Sequence, residues 1–363
     1  MIYLDNSATT FLKPVSVFEA MNRYMQTSGG NPGRSGHFMS MRASDTIYKC
    51  REEIAKFLGI NEPQQIVLVP SATFGLNMVI KSVLNYNSHA VITDMEHNSV
   101  LRPVHSICKY SVCTSPYDAK KKIKSNTKLI VVNHASNVNG EIADLEGYKK
   151  IAKEYGIYIL LDASQSAGHI PVLADGLDFI VSSGHKGLFG PQGTGFLYVK
   201  KGLSVKPLVS GGTGYHSESF VQPEDIPEGL ESGTLNGVGF AGLKEGISYV
   251  LSHDNSVEQN LNNALKQGLA VMPDVALYTP VHSMTAPVVA FNLRGRDCVR
   301  VAEILSEKYE ICVRSGLHCA PLMHKKLSTI ESGVIRVSMS SFNKLWEIEK
   351  FLNIIDNKVS FGV

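Results

Sequence analysis

The chain has 363 residues, 44% hydrophobic and 19% charged, with a formal net charge of +2. That composition is ordinary for a folded globular protein. The charge is too small to imply a nucleic-acid or membrane-surface partner, and no apolar run reaches the roughly 18 residues that span a bilayer.

The N-terminus, MIYLDNSATTFLKP, lacks a basic region followed by a long apolar stretch. No secretory leader is expected, and the cytoplasm is the expected compartment. In chain order, SDTIYKCREEIAKFLGI (44–60) reads as an amphipathic helix with Ile47, Ile54, Phe57 and Leu58 near one face. QQIVLVPSA (64–72) reads as a strand entering a small-residue turn, and FGLNMVIKSVL (74–84) as the helix that follows. HAVITDMEHNS (89–99), KLIVVNHASNVNG (128–140) and YILLDASQS (158–166) are apolar, β-branched runs with polar tails. GYKKIAKEYG (147–156) is a helix between the last two, and DFIVSSGHK (178–186) and GTGFLYVKK (193–201) continue the strands.

Unbroken apolar strands alternating with helices indicate an α/β fold, with a mostly parallel sheet covered on both faces. Lys120, Lys121, Lys122 and Lys124 read as a solvated helix end before one strand. Residues 209–236 are rich in Gly, Ser and Pro and lack periodicity; a long irregular segment in a compact enzyme is usually functional. GFAGLKEGISYVLSH (239–253) reads as a long helix. PVVAFNL, VAEILSEKY, ICVRSG, VIRVSMS and LWEIEKFLNIID then form a smaller α+β unit. The expected division is a large domain over 16–244, with 1–15 and 245–363 forming the small domain.

Ligands of such sheets bind beyond the carboxyl ends of the strands. The polar tails fall there: Ser71–Thr73, Glu96–Asn98, Asn137, Asp162–Gln165 and Ser183–Lys186. Lys186 follows a buried strand and precedes a Gly-rich segment, the setting of a lysine that forms a Schiff base in a shielded site. Asp162 at a strand end suits the pyridine nitrogen of pyridoxal phosphate, which a carboxylate keeps protonated. Gln165 is placed to bond the ring oxygen. The N–H groups of Ala72 and Thr73, with the Thr73 hydroxyl, suit a phosphate at a helix N-terminus, although capping by Ser71 or Thr73 explains the same residues. His97 reads as a core histidine or as a ring stacked on a flat cofactor. Arg314 suits a substrate carboxylate. Six cysteines match no zinc spacing, and no metal is expected. Five lie in or beside regular elements, whereas Cys319 lies in a loop beside His318, where a nucleophilic role is open.

In order, LDNSATT, EHNS, SNVNG, DASQS, SGHK and RSGLHCA resemble the fold-type I, class V aminotransferase group. Within it, cysteine desulfurases and selenocysteine lyases match best. The resemblance covers essentially the whole chain. It implies a fold-type I architecture with a seven-stranded, mostly parallel sheet, and a homodimer. It implies that Lys186 carries pyridoxal 5′-phosphate, Asp162 and Gln165 meet the ring, and His97 stacks on it. Thr73, Ser183 and His185 would hold the phosphate, with Thr234 reaching the phosphate of the other subunit. Asn137, Arg314 and Arg336 would engage the substrate.

The implied reaction converts L-cysteine to L-alanine. It leaves a persulfide on Cys319 for a protein or small-molecule acceptor. Selenocysteine lyase, another class V aminotransferase or lyase, and a cofactor-free scaffold are the alternatives. Departures from the family pattern bear on the acceptor and substrate. Leu317 stands where some relatives carry a second His, GGTGYHSES replaces a plainer Gly-rich turn, and NPGRSGH keeps Arg34 and His37 but has Gly33.

Overall fold

A computed structural model describes residues 1–33 and 36–357; Arg34 lies outside them. Seven strands form the principal sheet: Ile66–Val69, His89–Thr93, Lys109–Cys113, Thr127–Asn133, Tyr158–Asp162, Phe179–Ser183 and Gly195–Val199. Across the sheet they are ordered, by first residue, Ile66, Gly195, Phe179, Tyr158, Thr127, His89, Lys109. Only Gly195–Val199 runs against the rest.

Period-two side-chain alternation explains why the middles of the central strands are apolar on both faces. Ile130, Val132, Ile159 and Leu161 share one core with Ile47, Ile54 and Leu58 of the helix Phe38–Leu58 and with Tyr148 of the helix Leu145–Tyr155. Their neighbours Leu129, Val131 and Leu160 face the opposite core. There they meet Leu76 and Val79 of Ala72–Val83 and Val100 and Val104 of Asn98–Ile107. With both faces covered, no strand residue needs to be polar until the chain leaves the sheet.

Some elements were not evident from pattern. The seventh strand, Lys109–Cys113, lies at the sheet edge, and of its residues only Cys113 is buried. Pro103 interrupts the apparent pattern of Asn98–Ile107. Helix Ser256–Ala270 turns Glu258, Asn262 and Lys266 inward along with its leucines, so its buried face is not an apolar stripe. Helix Phe38–Leu58 begins before Ser44, because His37 Nδ1 accepts the Ser40 N–H at 3.3 Å as an N-cap. The lysine run lies at the end of helix Pro116–Lys122, where Lys120 pairs with Glu154 and Lys122 with Asp118.

Residues 200–236 contain only the short 3-10 turn Glu228–Leu230 among regular elements. The segment is pinned to the core by a buried Arg51–Glu231 pair, and Glu231 also accepts the Leu68 N–H at 2.6 Å. Helix Gly237–Ser252 runs unbroken across residue 244, and its Phe240, Leu243 and Ile247 pack into the principal sheet's core.

The smaller sheet is antiparallel, with strands Arg314–Gly316, Val334–Ser338, Val288–Leu293 and Val275–Leu277 in that spatial order. Helices Ser256–Ala270, Cys298–Tyr309 and Leu345–Asp356 cover it. The N-terminal strand Ile2–Tyr3 pairs with Ile311–Cys312, and Ile2 and Leu4 join this second core. The two sheets meet at Gly140. Its φ is +73°, and a Cβ there would lie 2.6 Å from the Ala286 carbonyl oxygen, so a side chain is excluded. Among the described residues, no helix is long and apolar enough to cross a membrane.

Candidate active site

The carboxyl ends of the central strands open on a small cavity. Ala72, Thr73, His97, Asn137, Asp162, Gln165, Ser183 and Lys186 all line it. These residues come from separate stretches of sequence and are brought together by the strand order. Gly168 and Gly187 make the last approach possible. A Cβ on Gly168 would lie 2.1 Å from the Gly187 oxygen, so only glycine lets the loop after Asp162 pack on the loop after Lys186.

Lys186 faces the cavity and is half-buried by surface area, yet the walls enclose its amine. Poor hydration pushes its pKa down to about 8, opposed by the Asp162 carboxylate and reinforced by Arg336. Asp162 is buried, and one of its oxygens accepts the Ser164 N–H at 2.9 Å. Gln165 donates to the Ser7 carbonyl at 3.0 Å, which fixes its amide plane. His97 caps the helix Asn98–Ile107: its Nδ1 accepts the Ser99 N–H at 3.1 Å. Burial and then Lys186 lower its pKa to about 4, so the ring is neutral.

At the helix Ala72–Val83, the Ser71 side chain accepts from Phe74 N. Capping therefore falls to Ser71 and leaves the Ala72 and Thr73 N–H groups at the positive end of the helix. The Thr73 hydroxyl lies 2.8 Å from Ser99 Oγ. His185 does not line the cavity. Its backbone carbonyl accepts from Thr9 and Thr10, and its Nδ1 is buried without a partner. Thr234 is exposed on the irregular segment and does not line the cavity of its own chain.

Arg314 and Arg336, expected from the resemblance to engage the substrate, lie on the smaller sheet. Arg314 and Arg336 are directly opposite each other in an antiparallel pair, so both side chains leave the same face. Like charges so placed repel, and an anion between them relieves the repulsion. Arg336 is buried, donates to Asp5 at 2.8 Å and to the Asn137 carbonyl at 3.0 Å, and leaves its Nε unpartnered.

Cys319 is the exposed cysteine; Cys50, Cys113 and Cys298 are buried, and Cys108 and Cys312 are half-buried. It borders an open groove that shares Thr73, His97 and Ser99 with the Lys186 cavity. Its turn is tight. Ala320 N donates to the Leu317 oxygen at 3.0 Å, with His318 at φ +48° and Cys319 at φ +57° between them. Two left-handed central residues are the type I′ pattern, which favours Asn-Gly. Non-glycine residues there cost roughly 1–2 kcal/mol each.

Contacts hold that strained turn. Asn98 N donates to the Cys319 oxygen at 2.8 Å, Asn137 Nδ2 to the His318 oxygen at 2.6 Å, and His318 Nε2 lies 3.2 Å from the Val334 oxygen. His318 is buried, and desolvation pushes its pKa far down, so it is neutral.

Two further residues belong to the site. Glu96 is wholly buried and accepts the Thr93 hydroxyl at 2.6 Å and Asn133 N at 2.9 Å. Burial pushes its pKa up to about 8, so it is a neutral acid beneath the site. Ser99 joins His97 to Thr73. Its place just inside a helix start, after the motif histidine, was the available signal.

The arrangement fits a flat aldehyde cofactor with an anionic tail. An enclosed amine of lowered pKa faces a buried carboxylate, and a helix N-terminus stands at one end. Asn137 Oδ1 and Ser164 Oγ are buried and unpartnered on residues that line the cavity, atoms that a polar ligand would satisfy.

A family model described as aminotransferase class-V matches residues 2–351. The chain is 33% identical to a probable cysteine desulfurase of Pyrococcus abyssi, over 99% of this chain and 94% of that one. It is 31% identical to a cysteine desulfurase of Salmonella agona, over 89% and 85%. The apo structure of a cysteine desulfurase from Thermococcus onnurineus superposes with a TM-score of 0.91 at 34% identity, covering 100% of this chain and 95% of that one. Sheet order, the Lys186 cavity and these matches agree: the chain belongs to the class-V aminotransferase family, in its cysteine desulfurase branch.

Proposed function

We propose that this chain is a pyridoxal-phosphate-dependent cysteine desulfurase that converts L-cysteine to L-alanine and passes the sulfur through Cys319. The observation that carries the reading is an exposed thiol on a groove contiguous with a cavity holding an enclosed, easily deprotonated lysine.

Lys186 would hold the cofactor covalently, with Asp162 at its ring nitrogen, Gln165 at its ring oxygen and His97 on its face. Ala72, Thr73, Ser183 and His185 would receive its phosphate, joined by Thr234 from a second copy in a homodimer. When bound, pyridoxal phosphate supplies an electron sink for charge left at the substrate Cα. The chain's own residues do the rest. Arg314, Arg336 and Asn137 receive the amino-acid carboxylate and orient Cα toward Lys186. Lys186, freed when the substrate amine takes its place, would then take the Cα proton as a neutral amine. The Cys319 thiolate attacks the substrate sulfur; the S–S bond forms as the Cβ–S bond breaks, the electron pair left at Cβ takes up a proton to complete the methyl group of alanine, and a persulfide remains on Cys319.

We further propose the division into a large domain and a small domain that includes residues 1–15, with the junction within helix Gly237–Ser252, and a cytoplasmic setting. The acceptor is a protein or small-molecule nucleophile.

The test is product analysis of the cofactor-loaded protein with L-cysteine and with L-selenocysteine, on the native chain and on Cys319→Ala. Alanine from cysteine, together with a persulfide mass on the Cys319 peptide, is expected for the native chain only. Undiminished alanine formation by Cys319→Ala would remove the nucleophile, and alanine from selenocysteine alone would make the chain a selenocysteine lyase.

A further inference from the structure

Asn137 faces two ways. Its side chain lines the Lys186 cavity, while its Nδ2 donates at 2.6 Å to the carbonyl of His318, the residue before Cys319. Its backbone carbonyl is held in turn by Arg336 Nη1 at 3.0 Å, so the whole residue is fixed. The turn it grips has both central residues in the left-handed region, where neither His nor Cys rests unaided. On the far side, Asn98 N grips the Cys319 carbonyl at 2.8 Å. The two carbonyls on either side of the Cys319 Cα are therefore each tied to a segment just beyond a strand end of the large sheet, and the thiol's direction follows from those ties.

We infer that Asn137 is a positioning residue for the Cys319 thiol, acting through the His318 carbonyl. This role is separate from contact with substrate, and it rests on the desulfurase reading only for its consequence in sulfur transfer. A substrate carboxylate that meets Asn137 from the cavity side thereby meets the clamp of the nucleophile's turn. With the clamp gone, the strained turn relaxes and the thiol samples directions that the attack on sulfur cannot use.

Alkylation by iodoacetamide tests this without any turnover. The rate at Cys319 is read by peptide mass in the cofactor-loaded protein without amino-acid substrate, with half-buried Cys108 and Cys312 as internal references. Asn137→Ala removes the amide, and Asn137→Asp keeps the shape but loses the donor. Loss of one hydrogen bond predicts about a five-fold faster Cys319 reaction in both variants, with Cys108 and Cys312 unchanged. If Asn137→Ala does not fold, the near-isosteric Asn137→Asp carries the reading.

An unchanged Cys319 rate overturns the inference, because a residue that only binds substrate does not alter the thiol in its absence. A rise shared by all three cysteines also overturns it, since that reports general loosening. A protein that fails to desulfurate cysteine yet shows the selective rise would sink the proposed reaction and leave the positioning role standing.

Discussion

The surroundings of Lys186 and of Cys319 are built on opposite principles. Lys186 stands at the end of a buried strand, enclosed by residues from five stretches of the large sheet, and its chemistry comes from poor hydration. Cys319 is exposed on a four-residue turn, and its chemistry depends on direction, which a few hydrogen bonds to a strained backbone supply. The amine is prepared by its environment and the thiol by its clamps. Damage to one should therefore look unlike damage to the other.

Lys186→Met is the largest expected effect. Without the amine, Cα proton transfer loses its base, and alanine formation should fall by about 10⁴-fold. Any pyridoxal phosphate left bound would resist borohydride trapping. The same variant should stabilise the cofactor-free protein. At neutral pH the native chain keeps a poorly hydrated ammonium here, and removing it should add about 2 kcal/mol in urea unfolding after allowance for water in the cavity. A variant that is inactive but less stable would contradict the view that the site strains the fold.

Cys319→Ala comes next. Cofactor binding, borohydride trapping and melting temperature should stay near native, while cysteine turnover falls by about 10²-fold or more. Loss of the cofactor's absorbance in this variant would break the comparison, because it would make Cys319 part of the enclosed site.

The pH response separates the two regions further. The folded pKa of Lys186, about 8, lies below its ordinary 10.5. Below pH 8 the neutral fraction, and with it the rate of cofactor capture by cofactor-free protein, should rise about tenfold per pH unit, then level above 8. Stability of the cofactor-free protein should rise between about pH 8 and 10.5, where the unfolded chain still binds the proton that the folded chain has lost. Lys186→Met should abolish both slopes, and Cys319→Ala should leave them.

The same contrast decided what could be read from sequence. The Lys186 cavity was legible because strand ends in a covered parallel sheet converge, so Thr73, His97, Asp162 and Lys186 could be placed together from apolar runs and their polar tails. The geometry at Cys319 was not. Its turn carries no glycine at its two left-handed positions, and its clamps come from Asn98 and Asn137, far away in sequence. Glu96 was visible as a residue but not as a neutral acid, since its burial depends on packing beneath the sheet. The arginine pair at 314 and 336 needed the antiparallel register of two short strands, one of three residues.

The smallest effect tests the strain itself. At φ +57° an L-residue pays for its Cβ, and glycine does not. Cys319→Ala and Cys319→Gly both remove the thiol and should be equally inactive. If the turn is strained and held, Cys319→Gly should be the more stable of the two by about 1 kcal/mol, the balance of relieved left-handed strain against glycine's greater freedom when unfolded. Paired urea titrations would measure it. Equal midpoints, or alanine the more stable, would mean that the turn rests comfortably as it stands, and the clamps at Asn98 and Asn137 would then hold a shape the chain already prefers.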